Sequence, residues 1–581
     1  MRSAPPSVAL AFIVALGAIV PGVAFAEWPT LGRAISVAIK DQERPKVATD
    51  GAGGAIIVWQ DFRSPRINIF ARRVLLSGEL DPRWPVDGQA LLTDSIAAET
   101  AVEGQTLPVI ISDGSGGAIV AWQDGRSGGL DVFAQHILGS GVVDPAWPAN
   151  GRALSTARGP QERPAIVSDG AGGAIVTWMD GRSSFTDTDI FAQHVLASGI
   201  IDPRWTADGV PLSTALAPQV FPNIASDGSG GAIVTWYDFR PSAGGIDIYA
   251  HHVTNQGVVD PAWPANGRAL CLASGDQLNP TIISDGAHGA IVAWEDGRVG
   301  PSHIFALRVL ISGAIAVGWP TNGLAICTAP IEQVHPILTT DGGNGAIVAW
   351  QDARVDANHR PFAQHVLGSG MIDAAWPVNG RALSLSSGEE VDASITTDGS
   401  GGAIVAWEED SFIFAQHVLT SGLVDSAFPV NGRFVRLLLT FQHNPDVVRS
   451  GAGDAIVVWA DKESNAGSDI YANLVTTESA VSVDPGDPGA AIAFARPAPN
   501  PARGPVLLSF RLPRATPVRL AVYGVDGRRV RDLMSGTQPA GSHAVTWDLD
   551  DQSGRPVPAG VFFARLEVEG RALTQAIATL K

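Results

Sequence analysis

The sequence predicts an all-β protein: an eight-bladed β-propeller of about 57-residue, four-stranded repeats, followed by a small β-sandwich. Three observations carry that reading. The phrase DGxGGAIVxW, clearest at 113–122, recurs eight times and ends at Trp59, Trp122, Trp178, Trp236, Trp294, Trp350, Trp407 and Trp459. The spacings run from 52 to 63 residues and average about 57, the size of a propeller repeat. A second phrase, W-P-x-x-G-x-x-L, recurs at Trp28, Trp84, Trp147, Trp205, Trp263, Trp319, Trp376 and, as FPVNGRFV, at Phe428.

One unit reads through from 164 to 214. PAIVSD is a short strand, and Asp169-Gly170 begins a hairpin turn. GGAIVTW is apolar without alternation, so both its faces are covered. DIFAQHVL is a third strand and RWTADGVPLS a fourth. Blades stacked face to face supply the double cover. The phase of the second phrase adds closure. WPTLGRAI at 28–35 precedes any core phrase, whereas the last core, SGAGDAIVVW at 450–459, has no fourth strand after it. Residues 28–35 are therefore expected to close the last blade, which removes the open sheet edges.

The remaining boundaries follow from composition. Arg2, the apolar stretch Val8–Val20 and Ala24-Phe25-Ala26 read as a signal peptide over 1–26. The propeller then covers 27–478, a Pro/Gly/Asp linker 479–497, and a C-terminal domain 498–581. No later apolar run is long enough for a transmembrane helix. Net charge is −19, which repels phosphate backbones and argues against nucleic acid as a partner. Cys271 and Cys327 occupy the same slot in consecutive repeats, positions that usually lie too far apart for a disulfide, so two buried small residues are favoured over a bridge between them.

The tail carries PNP (499–501), VRLAVYGVDGRRVRDL (518–533), PAGSHAVTWD (539–548) and SGRPVPAGVFFARL (553–566). These segments resemble the FlgD-type immunoglobulin-like (Ig-like) domain and the type A sorting domains of type IX secretion. The resemblance implies an Ig-like sandwich, secretion machinery as a partner, and an extracytoplasmic place, secreted or on the outer cell surface. The repeats resemble those of uncharacterised exported bacterial repeat proteins, a likeness that implies no activity.

Candidate chemistry is sparse. A W-x-D-x-R motif recurs, giving Asp124 with Arg126, Asp180 with Arg182, Asp238 with Arg240, and Asp296 with Arg298. The bland reading is turn capping; the functional one is a ring of charges binding a polar ligand such as a glycan or surface protein. The Q-H pairs at His136, His194, His365 and His417, with His251-His252 in the fourth copy, recur too regularly for a zinc cluster. No cofactor is expected. Calcium is left open at Thr186-Asp187-Thr188-Asp189, which lacks the rest of an EF-hand loop.

An active site needs residues that break the repeat. The breaks are Glu408-Glu409-Asp410, Asp356, His359-Arg360 and Glu389-Glu390. Glu408, Glu409 and Asp410 are expected to leave the strand for a solvated loop and to stay ionised. The function expected is a non-enzymatic binding protein of the cell exterior. The alternatives are a secreted polysaccharide hydrolase or lyase, with Glu408, Glu409 and Asp410 as its acids, and a structural envelope component.

Overall fold

The computed structural model describes residues 28–92, 104–477 and 492–580, apart from 30, 127, 241–244, 356–357, 387, 437–439, 452, 465–466, 495–496, 498–499, 505, 513, 539–540 and 570. The expected signal peptide and most of the expected linker lie outside the described residues. Among the described residues every regular element is a strand, and no helix is long and apolar enough to cross a membrane.

Between Arg33 and Val475 stand eight four-stranded antiparallel sheets of propeller type. The third shows the pattern: Gln161–Ser168, Ala174–Asp180, Asp189–Val195 and Val210–Ser213, paired in that order. Its second strand, AIVTWMD, is buried at every position because both faces meet neighbouring sheets. That is why the sequence there is apolar without alternation. The outer strand turns at Gly209, whose φ is +99°. A Cβ there would stand 2.8 Å from the Trp178 indole, so only glycine fits.

The eighth sheet is built from both ends of this region. Phe441–Ser450, Asp454–Ser464 and Gly467–Val475 are completed by Arg33–Ser36 as the outer strand. Arg33 faces Ala472, Ala34 faces Tyr471, and Ile35 is fully buried. The first strand of each sheet touches those of its two neighbours, and Phe441–Ser450 touches Gln42–Thr49. The eight first strands therefore line one central channel.

The Asp-Gly turns are anchored from within their own sheets. Asp113 accepts hydrogen bonds from the Ser115 and Gly117 amides at 2.6 and 2.9 Å. His136 then bridges Asp113 and Asp144 at 3.0 and 2.8 Å. His194, His252, His365 and His417 do the same in their sheets, so these imidazoles are held apart. Arg73 and Arg308 replace the ring in the first and fifth sheets. Burial opposes charging His365 and His417, but the flanking carboxylates outweigh it and raise both above the ordinary 6.5. A raised histidine contributes stability in full below its unfolded value and loses it as pH rises through the folded one. We therefore expect the melting temperature to fall from about pH 6 upward, and His365→Gln with His417→Gln to flatten that slope in a calorimetric pH series.

Cys271 and Cys327 are free and buried. Burial pushes their thiols up to about 12 and about 11. They fill the place of Ser155 and Ser213 beneath an arginine, with Arg298 at 3.3 Å and Arg354 at 3.0 Å from sulfur.

The tail has two antiparallel sheets. One holds Ala493–Phe494, Val506–Leu512 and Gly541–Trp547; the other Thr516–Gly524, Arg529–Gln538, Gly560–Val568 and Arg571–Thr579. Leu508, Phe510, Leu520, Trp547, Leu566 and Ile577 form their shared core.

Candidate functional site

The W-x-D-x-R residues lie inside the sheets. Asp238 is fully buried and accepts hydrogen bonds from Trp236 Nε1 at 2.9 Å and from Arg240 Nε and Nη2 at 2.8 and 2.6 Å. Arg240 also donates to the Asn266 carbonyl at 2.8 Å and lies 3.9 Å over the Tyr249 ring. Asp180 with Arg182, Asp296 with Arg298, and Asp124 with Arg126 repeat the arrangement. A buried indole N–H needs an acceptor and a buried carboxylate needs a cation, and this pairing meets both demands. The four pairs stay in separate sheets and do not converge. At Thr186–Asp189, Ser183 donates to Asp189 at 2.8 Å; among the described residues no group of three His, Cys, Asp or Glu is arranged to hold a metal.

The seventh sheet departs from the pattern. Its second strand runs Ala403–Glu409, so Glu408 and Glu409 belong to the strand and not to a loop. The pleat sends them to opposite faces. Glu409 stands where the other sheets have aspartate and faces Glu390, which stands where they have glutamine. Only 1% of Glu390 and 3% of Glu409 is exposed. Burial raises both carboxyls, and Glu409 adds to the rise at Glu390. Only Asp410 reaches the exposed turn, at φ +48°. Of the other sequence breaks, His359 pairs with Glu389 at 2.7 Å, and Asp356 lies outside the described residues.

Glu408 leads to the channel. Near its start, every first strand carries a register shift with a left-handed residue: Arg44, Leu107, Arg163, Phe221, Asn279, His335, Asp392 and Asn444, all with φ between +51° and +53°. In seven sheets a proline follows, although the residue before proline ordinarily keeps negative φ. The preceding sheet holds the strained amide. Leu107 N–H donates to Gln60 at 2.8 Å, Arg163 to Gln123 at 3.1 Å and His335 to Glu295 at 2.7 Å. These left-handed residues ring a channel mouth of about 800 Å³. The backbone repeats around it while the side chains do not, so asymmetry is concentrated here.

Behind one arc of the mouth, lined there by Asp392, Asn444, Arg44 and Lys46, ionisable groups gather from the seventh, eighth and first sheets. Glu408 takes the Asn444 amide, and burial, then the charge of Asp392, raise its carboxyl above the ordinary 4.5. His443 pairs with Glu43 at 2.7 Å. Burial opposes charge on both, yet Glu43 is held below its ordinary range and His443 above. Asp446 receives Ser394 Oγ at 2.9 Å and stands 3.9 Å from Lys46. Elsewhere on the ring, Arg163 lies 4.2 Å over Phe221, which stacks on Tyr237 at 5.1 Å. Sequence reasoning missed the mouth. Its signal is Q-x-x-P, intact in seven of the eight first strands, with an unconstrained residue before the proline.

No family model matches the chain, and no curated protein matches it. Among solved structures it is similar to an ulvan lyase of a new polysaccharide lyase family, at 11% identity and TM-score 0.38, over 78% of this chain and 96% of that one. It is also similar to the Penicillium chrysogenum α-L-arabinanase, at 12% identity and TM-score 0.33, over 60% and 99%. A third is the endo-arabinase of Bacteroides thetaiotaomicron, at 12% identity and TM-score 0.29, over 48% and 96%. The expectation of a non-enzymatic binding protein is corrected here. The solvated acidic loop on which that expectation rested is a strand end, with Glu408 half-buried and Glu409 buried.

Proposed function

We propose that this chain cleaves a polysaccharide at the channel mouth, on a closed propeller whose eight sheets are its blades. The tail is then an Ig-like domain that serves export or attachment outside the cell. The observation that carries the catalytic reading is the pair Glu408 and Asp392. One carboxyl is partly buried and raised above its ordinary value; the other is exposed and lines the cavity. Two neighbouring carboxyls in unlike surroundings can divide acid and base work between them.

Glu408 gives its proton to the departing sugar oxygen. Asp392 takes a proton, either from an attacking water or from the sugar ring itself. The first course is hydrolysis and the second is elimination. His443, held by Glu43, sets the charge beside Glu408. The test is the full chain incubated with a panel of neutral and acidic polysaccharides, assayed for new reducing ends and for unsaturated ends. New chain ends from one polysaccharide class are expected, and the kind of end separates the two courses. A panel that yields no new ends sinks the proposal.

A further inference from the structure

In seven of the eight sheets the aspartate after the core tryptophan has a guanidinium against it. Arg63, Arg182, Arg240 and Arg298 reach Asp61, Asp180, Asp238 and Asp296 at 2.6, 2.6, 2.6 and 2.5 Å. Arg126 and Arg354 reach Asp124 and Asp352, and Arg436 reaches Asp461 at 2.6 Å. The seventh sheet has Ser411 in the arginine's place and a second carboxyl, Glu390, in the glutamine's place. A cation has been removed and an acid added at one buried point.

The glutamine's task shows what is missing. In the third, fourth, fifth and sixth sheets its side-chain amide donates to two carbonyls of the preceding loop, as Gln161 does to Ala157 and Gly159 at 3.4 and 2.8 Å. By the same repeat, the carbonyls of Ser386 and Gly388 hold those places in the seventh sheet, where Glu390 brings an acceptor instead of a donor. Neither oxygen of Glu390, nor Oε2 of Glu409, makes a hydrogen bond of good geometry, although Glu390 lies close enough to Ser384 and to Glu409 to interact with both. Ser386 Oγ donates to the other oxygen of Glu409. The charges of Arg360, from the sixth sheet, and of Arg503, from the tail, partly offset the rise at Glu390 and at Glu409 respectively.

We propose that a hard divalent cation, calcium by its all-oxygen donor set, binds between Glu390 and Glu409 and replaces the guanidinium found in the other seven sheets. Two carboxylates match its charge, and hydroxyl and carbonyl oxygens complete the shell. One shared proton would join the two carboxyls but would not replace the two N–H donors that the glutamine amide gives the loop in the other sheets.

The experiment uses the full chain, stripped with chelator at neutral pH and returned to about 1 mM calcium, the range in which extracellular modules bind it. We expect one bound calcium per chain by elemental analysis and a rise of several degrees in melting temperature. Glu390→Gln restores the residue of the other seven sheets, so it folds, and it should lose both effects. Glu409→Asp combined with Ser411→Arg restores the ion pair and should lose them too. The proposal is overturned if stripped protein binds no calcium, if its melting temperature does not respond, or if Glu390→Gln responds equally.

Discussion

Deleting residues 28–36 is expected to lower the melting temperature by about 5–10 °C and to make the chain associate. The deletion removes Ile35 from a fully buried place between the first and eighth sheets. It also frees the ladder groups of Gly467–Val475 that Arg33–Ser36 now pairs. Loss of the buried side chain alone costs about 2–5 kcal/mol. The exposed edge offers a template for a second chain, so association should rise with protein concentration. Calorimetry with light scattering on the full and shortened chains measures both effects. A shortened chain that melts within a degree of the full one and stays monomeric would show that the ring does not depend on this strand.

Glu408→Gln is expected to reduce turnover about 10²- to 10⁴-fold, the usual contribution of general acid catalysis, with KM little changed. Glutamine keeps the shape and the contact with the Asn444 amide but has no proton to give. The pH profile carries the sign. Because the folded carboxyl is raised above 4.5, its acid form survives to higher pH, and activity should fall as pH climbs through the raised value. That alkaline limb should vanish in the variant's remaining activity. Melting temperature should hold or rise, since a partly buried acid is replaced by a neutral side chain. Turnover within a few-fold of the parent would remove Glu408 from the mechanism.

The repeat was legible because burial on both faces leaves a mark that survives translation into letters. AIVAW and its relatives are apolar on both faces of the strand, and where threonine enters, at Thr177 and Thr235, its hydroxyl donates to a carbonyl of the next strand. The unpaired first copy of W-P-x-x-G-x-x-L carried the phase of the ring in the same way. The acids were misread because a run of three looks like solvated surface. A strand divides such a run: Glu408 goes to the face that meets the eighth sheet, and Glu409 to the opposite face with Glu390. The mouth was illegible for another reason. Leu107 and Phe221 precede proline, where local rules exclude positive φ, and only the neighbouring sheets make their conformation tolerable. A side chain such as Gln60, 47 residues away, supplies the acceptor, and no window of local sequence contains both partners.

The ring of left-handed residues also bears on how such a protein can adapt. At each position the backbone is set by the strand register and, at Leu107, Arg163, His335 and Asn444, by an acceptor from the preceding sheet. The side chain itself is free to change, and the ring already holds arginine, leucine, phenylalanine, asparagine, histidine and aspartate on one main-chain shape. Eight positions can therefore vary one at a time, each altering the lining of the mouth while the fold is inherited intact. If the mouth takes a sugar chain as proposed, a lineage built on this frame could move from one sugar to another by single substitutions, without first acquiring a more stable scaffold.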